Sequence, residues 1–199
     1  MIPRHMLIGT VVLLAASFTM GVYVWRTRRR VVEAQPLATN NKPVTAPVSG
    51  PTDPVTLYVA YDDGGILRPQ SFDIPLPRGR EQRAQELLQA LVALYLERSS
   101  PHPLGAGSEV RDVYFVDPGL AVVDVNTAFA NGHRSGVLVE ELTIASLIQT
   151  LSTNIAGVTR VKILVDGKER DTLAGHADLM NFFDVAAVGQ MASELQAGR

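Results

Sequence analysis

Val158-Thr159-Arg160-Val161-Lys162-Ile163-Leu164-Val165-Asp166-Gly167 is the most strand-like stretch of this chain. Val158, Val161, Ile163 and Val165 fit a pleated, half-buried surface, where branched side chains pack well. Asp-Gly tolerates the positive φ of a two-residue hairpin turn, so Lys168 to Leu173 is expected to return as a short strand. Upstream, Val137 to about Asn154 reads as a helix. Leu138, Leu142, Ala145, Ile148, Leu151 and Ser152 share one face, and Gly157 provides a stop.

Further outward the pattern repeats. Val110 to Val116 and Leu120 to Val125 flank Asp117-Pro118-Gly119, a strong hairpin signal, and Asn126 to Gly136 is a connection. Arg80 to Arg98 is a first helix, with Ala84, Leu87, Leu88, Leu91, Val92 and Tyr95 at helical spacing. Pro101 and Pro103 forbid its continuation, so Ser99 to Ser108 is a loop. Val55 to Tyr61 is an opening strand, and Asp62-Asp63-Gly64-Gly65 is a turn. Ile66 to Pro77 is a weaker extended segment, demoted to an edge or irregular strand by Pro69, Pro75 and Pro77. Gly175 to Val185 reads as a packed loop, and 186–199 as a short helix or tail. Three strand pairs alternating with two helices predict an α+β domain, a small mixed sheet with both helices on one face.

Ahead of this domain stand two different segments. Leu7 to Trp25, LIGTVVLLAASFTMGVYVW, carries no charge and is followed by Arg26, Arg28, Arg29 and Arg30. At about 1.5 Å per residue it reaches roughly 28 Å, close to the ~30 Å hydrocarbon core of a bilayer. Tyr23 and Trp25 at its end suit the membrane interface. Residues 1–30 are therefore expected to form a retained transmembrane anchor with an Arg-rich flank. No Ala-x-Ala cleavage pattern lies near the end of the apolar run. Residues 31–54, with Pro36, Pro43, Pro47, Pro51 and Pro54, read as an extended linker to a domain spanning 55–185.

The net charge of −2 hides an asymmetry. Six of the 18 Lys and Arg but only two of the 20 Asp and Glu precede Val55, leaving the remainder near −6. Nucleic acid is an unsuitable partner, since phosphate binding needs a concentrated basic surface. There is no cysteine, which excludes disulfides, thiolate metal ligands and a lipidated N-terminal Cys.

Val161-Lys162-Ile163-Leu164-Val165-Asp166-Gly167-Lys168, with Gln149-Thr150-Leu151 upstream, resembles the GerMN domain, the sporulation and spore-germination domain. Val55 to Tyr61, Val122-Val123-Asp124-Val125-Asn126 with Phe129, and Gly175-His176-Ala177-Asp178-Leu179 fit in the same order. The resemblance covers about Val55 to Val185. It implies a compact domain similar to ring-building domains, lying outside the cytoplasmic membrane and acting through protein contacts without known catalysis. Many relatives are lipoproteins; this chain has Leu7 to Trp25 instead.

Residues for catalysis are sparse. His5, His102, His133 and His176 show no metal-ligand spacing, and surface or structural roles are expected for them. Asp62, Asp63, Asp117 and Asp166 read as turn residues, and Glu140 with Glu141 as a solvated helix face. No catalytic, cofactor or metal site is assigned. The expected function is that of a membrane-anchored envelope interaction or assembly domain, meeting other envelope proteins or copies of itself. The alternative is a peptidoglycan-binding or peptidoglycan-acting protein, using turn carboxylates with Tyr58, Tyr61 and Tyr114. Four arginines after the anchor, taken alone, place the domain in the cytoplasm; the spacer and the resemblance point outward, and the outward placement is adopted.

Overall fold

The computed structural model describes residues 52–117 and 119–197. The expected anchor and most of the linker lie outside these residues. Among the described residues no helix is long and apolar enough to cross a membrane. Among the described residues every core residue falls within one compact unit, Pro47–Arg199, which has a hydrophobic core of its own.

The elements run β1 (Thr52–Tyr61), β2 (Ile66–Pro75), α1 (Arg80–Leu96), β3 (Val110–Asp117), β4 (Leu120–Val125), α2 (Thr127–Asn131), α3 (Val137–Asn154), β5 (Arg160–Val165), β6 (Phe183–Asp184) and α4 (Val185–Ala197). This is an α+β fold, but the expected single sheet is replaced by two. One is the antiparallel β1–β2 hairpin; the other has the order β3-β4-β5-β6, with β4 and β5 parallel. Val113, Val123 and Ile163 stand in register on the buried face of the larger sheet, while Tyr114, Val122 and Lys162 share the opposite face.

The sheets are separate because α3 occupies the edge of β1 that another strand would need. Thr56 N–H donates to Asn154 Oδ1 at 3.0 Å, and Thr56 O accepts from Asn154 Nδ2 at 2.7 Å. Tyr58 N–H donates to Thr150 Oγ1 at 2.9 Å, and Tyr58 O accepts from Ser146 Oγ at 2.6 Å. Ala60 N–H then donates to Tyr95 Oη at 2.8 Å, and Asp62 N–H to Pro101 O at 3.1 Å. Side chains one helical turn apart thus take the place of a strand's backbone.

The same ladder explains how β2 keeps its prolines. Because Tyr58 turns its backbone groups toward α3, its pair with Pro69 is a non-hydrogen-bonded one. Pro54↔Asp73 and Thr52↔Pro75 fall in that same alternate register. No proline costs the hairpin a ladder bond, so the weak extended segment is a full ten-residue strand, and β1 begins at Thr52.

A second departure follows β5. The Asp166-Gly167 turn forms, with φ of 50° and 71°. Val165 and Lys168 exchange backbone bonds at 2.9 and 3.1 Å. Pairing with β5 then stops: the expected strand Lys168 to Leu173 contributes only two isolated bridges, Val165↔Lys168 and Thr172↔Asp178, and Phe183–Asp184 pairs with β5 instead. The departing chain is pulled toward the first turn of α3, as described below.

Replacing Asn154 with Leu should leave both backbone groups of Thr56 without a partner. The expected cost is about 2 kcal/mol of stability, read as a lower urea midpoint at unchanged slope; an unchanged midpoint would show that water serves this edge equally well.

Candidate functional site

Helix α3 buries a line of polar residues that its apolar period does not announce. Glu140, Thr143, Ser146 and Thr150 are all buried, and each has a defined task. Tyr95 links the line to α1. Its O–H reaches Ser146 Oγ at 2.5 Å, and Ser146 passes its own proton to Tyr58 O. Burial pushes the Tyr95 phenol up to about 12, against the Ser146 and Ala60 hydrogen bonds, so it stays neutral.

Glu140 corrects the expectation of a solvated Glu pair, since its side chain is fully buried. Its Oε2 accepts from the backbone N–H of Ala174 and His176, both at 3.0 Å, and of Ala177 at 2.9 Å. Its Oε1 takes Gly136 N–H at 3.1 Å and faces His176 Nδ1 at 3.0 Å. Burial alone would raise this carboxyl. The Ala177 N–H, the His176 ring and the Ala174 and His176 N–H groups outweigh burial and hold it at about 2. One carboxylate therefore closes the start of α3 and anchors the loop that leaves β5.

His102 and His133, 31 positions apart, converge on Thr143, each placing Nε2 at 2.6 Å from its Oγ1. Both rings are buried rather than on the surface. His102 Nδ1 meets Asp62 Oδ1 at 2.6 Å, and Asp62 is also engaged by Arg134. Asp62 is thus more than a turn residue: it ties the β1–β2 turn to the loop after α1. His133 Nδ1 contacts Arg134 O at 2.7 Å, which requires a proton on that nitrogen and leaves Nε2 as an acceptor. Burial pushes His102 down to about 4 and also lowers His133. The Asp62 carboxylate favours a charged His102, but Arg134 already neutralises it. With both rings neutral, the single Thr143 proton faces three acceptors: two imidazole nitrogens and Val139 O at 3.0 Å.

Asp62, His102 and Thr143 have the connectivity of an acid–base–nucleophile triad. Their geometry does not present it to a substrate: Thr143 and His102 have no exposed surface, and the hydroxyl is enclosed by its acceptors. Among the described residues no group of three or more His, Asp and Glu is placed to hold a metal ion.

The Asp166 turn has a second anchor. Asp124 Oδ1 accepts Gly167 N–H at 2.7 Å, and Arg111 pairs with Asp166 at 2.7 Å. The Thr127 hydroxyl, then Arg111, keep Asp166 below the usual carboxylate range. Asp124 is buried beneath this turn. Lys162, also buried, donates to Leu179 O and Met180 O at 3.0 and 2.6 Å and pairs with Glu169 at 3.0 Å. Tyr114 is 46 % exposed. The polar line on α3 was the available sequence signal: Thr143, Ser146, Thr150 and Asn154 recur at three- and four-residue steps, forming a stripe of their own beside the apolar one.

Two small sheets packed with helices, most of their buried polar groups hydrogen-bonded within the chain, define a compact α+β domain. A family model described as Germane, sporulation and spore germination, matches residues 56–171, and the chain belongs to that family. The fold is similar to the tandem GerMN domains of the sporulation protein GerM from Bacillus subtilis, with a TM-score of 0.51 and 22% identity over 65% of this chain. The chain spans 45% of that tandem structure. The first GerMN domain of the same protein gives a TM-score of 0.49 and 24% identity, covering 65% of this chain and 95% of that one. A putative lipoprotein from Clostridium perfringens gives 0.44 and 21%, over 67% and 88%. No curated protein matches the sequence.

Acid should weaken this interior. The Glu140 carboxyl is lowered on folding, so its contribution is complete above pH 4.5 and lost as pH falls toward about 2. The His102 pKa is also lowered, so its contribution is complete above pH 6.5 and lost toward about pH 4. Glu140→Gln should cost on the order of 2–3 kcal/mol at pH 7 and lose less than the parent between pH 4.5 and 2, by urea denaturation at each pH. Equal losses in both chains would place the acid sensitivity elsewhere.

Proposed function

We propose that this chain is a membrane-anchored, extracytoplasmic, non-catalytic interaction domain of the bacterial cell envelope. The observation that carries this reading is the use made of its reactive side chains. Asp62, His102, Thr143, His133 and Glu140 all hold the fold together from buried or nearly buried positions. Membership in the sporulation and germination family supports a role in assembly. The apolar run Leu7 to Trp25 supports anchoring, and the proline-containing stretch after it supports a domain held away from the bilayer. Action is then by contact, with other envelope proteins or with further copies of the chain.

Exposed Tyr114 beside exposed Val116 favours a second reading, since an open aromatic ring on a sheet face can stack on a sugar. That reading is peptidoglycan binding.

Photocrosslinking of the full chain in intact envelopes should give discrete adducts, and a reporter after Arg199 should be active only outside the cytoplasm. Recovery solely as an uncrosslinked monomer, or a cytoplasmically active reporter, would count against the proposal. Sedimentation with purified peptidoglycan, abolished by Tyr114→Ala, would favour the second reading instead.

A further inference from the structure

A cleft of about 600 Å³ lies between α3, α4 and the loop that joins β6 to the Glu140 anchor. Its size is within the ~300–1,000 Å³ range of sites that enclose a ligand. Ile144, Phe183, Val188 and Met191 supply an apolar floor, and exposed Ala187 and Phe182 border it. The rim is acidic: Glu141, Asp178 and Asp184. Ten of the twelve lining residues lie beyond position 171, where the family match ends.

The charge on this rim is fixed in place. Asp184 Oδ1 accepts Ala186 and Ala187 N–H at 2.9 and 3.0 Å, capping α4. Asp178 accepts Met180 N–H at 2.7 Å and the Asn181 amide at 2.8 Å. These donors are neutral, so the bonds orient the carboxylates without cancelling them. His176, the one basic side chain on the lining, turns Nδ1 toward buried Glu140. Arg160 and Lys162 approach Phe182 at 5.6 and 5.7 Å but line none of the cleft.

We propose that this cleft is a docking groove for a basic amphipathic helical segment of another protein. An apolar floor of this kind accepts residues at i, i+3 or i+4, and i+7 of one helix face. Three carboxylates on the rim select Lys and Arg at its flanks and reject acidic helices through like-charge repulsion. Backbone strand addition is less available here, since α3 already holds the free edge of β1. The proposal rests on the interaction-domain reading and names the surface and the chemistry of its partner.

The test uses residues 47–199, first shown to melt cooperatively by circular dichroism. The chain's single tryptophan, Trp25, lies outside this unit, so a Trp-labelled peptide reports without background. Three 15-residue probes are compared: an amphipathic Leu/Lys peptide, its Leu/Glu counterpart and a non-amphipathic Ser/Lys peptide. The Leu/Lys peptide should bind at least tenfold more tightly than either control. Glu141→Lys and Ala187→Arg should each weaken it at least fivefold, while Tyr114→Ala leaves it unchanged. If Ala187→Arg alters the melt, Glu141→Lys carries the test. Equal binding of the two Lys peptides, or insensitivity to the groove variants, would overturn the proposal. So would a dimer that Ala187→Arg dissolves in the absence of peptide binding. Failure of the peptides alongside discrete envelope crosslinks removes the groove alone; binding alongside a cytoplasmically active reporter removes the envelope placement alone.

Discussion

A strand has two edges, and β1 is paired with another strand along only one of them. The rest of this fold depends on how the second edge is satisfied. A helix cannot offer a backbone ladder, because its own N–H and C=O groups bond internally. Side chains of α3 do it instead, through Ser146, Thr150 and Asn154, with Tyr95 of α1 continuing the line. Each contact would leave a buried or part-buried peptide group unsatisfied if lost, which is costlier than a typical hydrogen bond is stabilising. That requirement fixes the height and rotation of α3 against β1. Once α3 is placed, Glu140 and Thr143 are placed too, and with them the two loops they hold.

Those loops are why the protein has a cleft. Glu140 draws Ala174, His176 and Ala177 to the first turn of α3, so the chain cannot continue the hairpin begun at Asp166-Gly167. It returns to β5 only at Phe183, and α4 starts directly afterwards under the Asp184 cap. A single buried carboxylate thereby separates a turn legible in two residues from its expected sequel.

Elements with a strong local period were readable from sequence. The Val137–Asn154 helix, the β3–β4 hairpin and the Asp166-Gly167 turn stand where apolar spacing and turn chemistry put them. What was not readable depends on contacts across the chain. The pairing of Thr56 with Asn154 spans 98 positions, and that of Asp62 with His102 spans 40. Period alone treats Thr143, Ser146 and Thr150 as neutral helix residues, because it counts apolar positions and ignores polar ones. Pro69 rightly marked an edge strand, but not that the strand would be regular: a proline is compatible with a full strand whenever its register turns the missing N–H away from the neighbour. Glu140 shows the same limit, as adjacent Glu residues give no sign that one faces inward.

The placement of the prolines also bears on what this hairpin does not do. Of the five β2 positions that turn their backbone away from β1, two, Pro69 and Pro75, have no N–H to give. An incoming strand would find gaps where it needs donors, and growth of the sheet by stacking one chain on the next is interrupted at its first step. At high local concentration, where edge-to-edge aggregation is the characteristic failure of small β-containing domains, this chain thus carries its protection in the same residues that make its second strand hard to recognise.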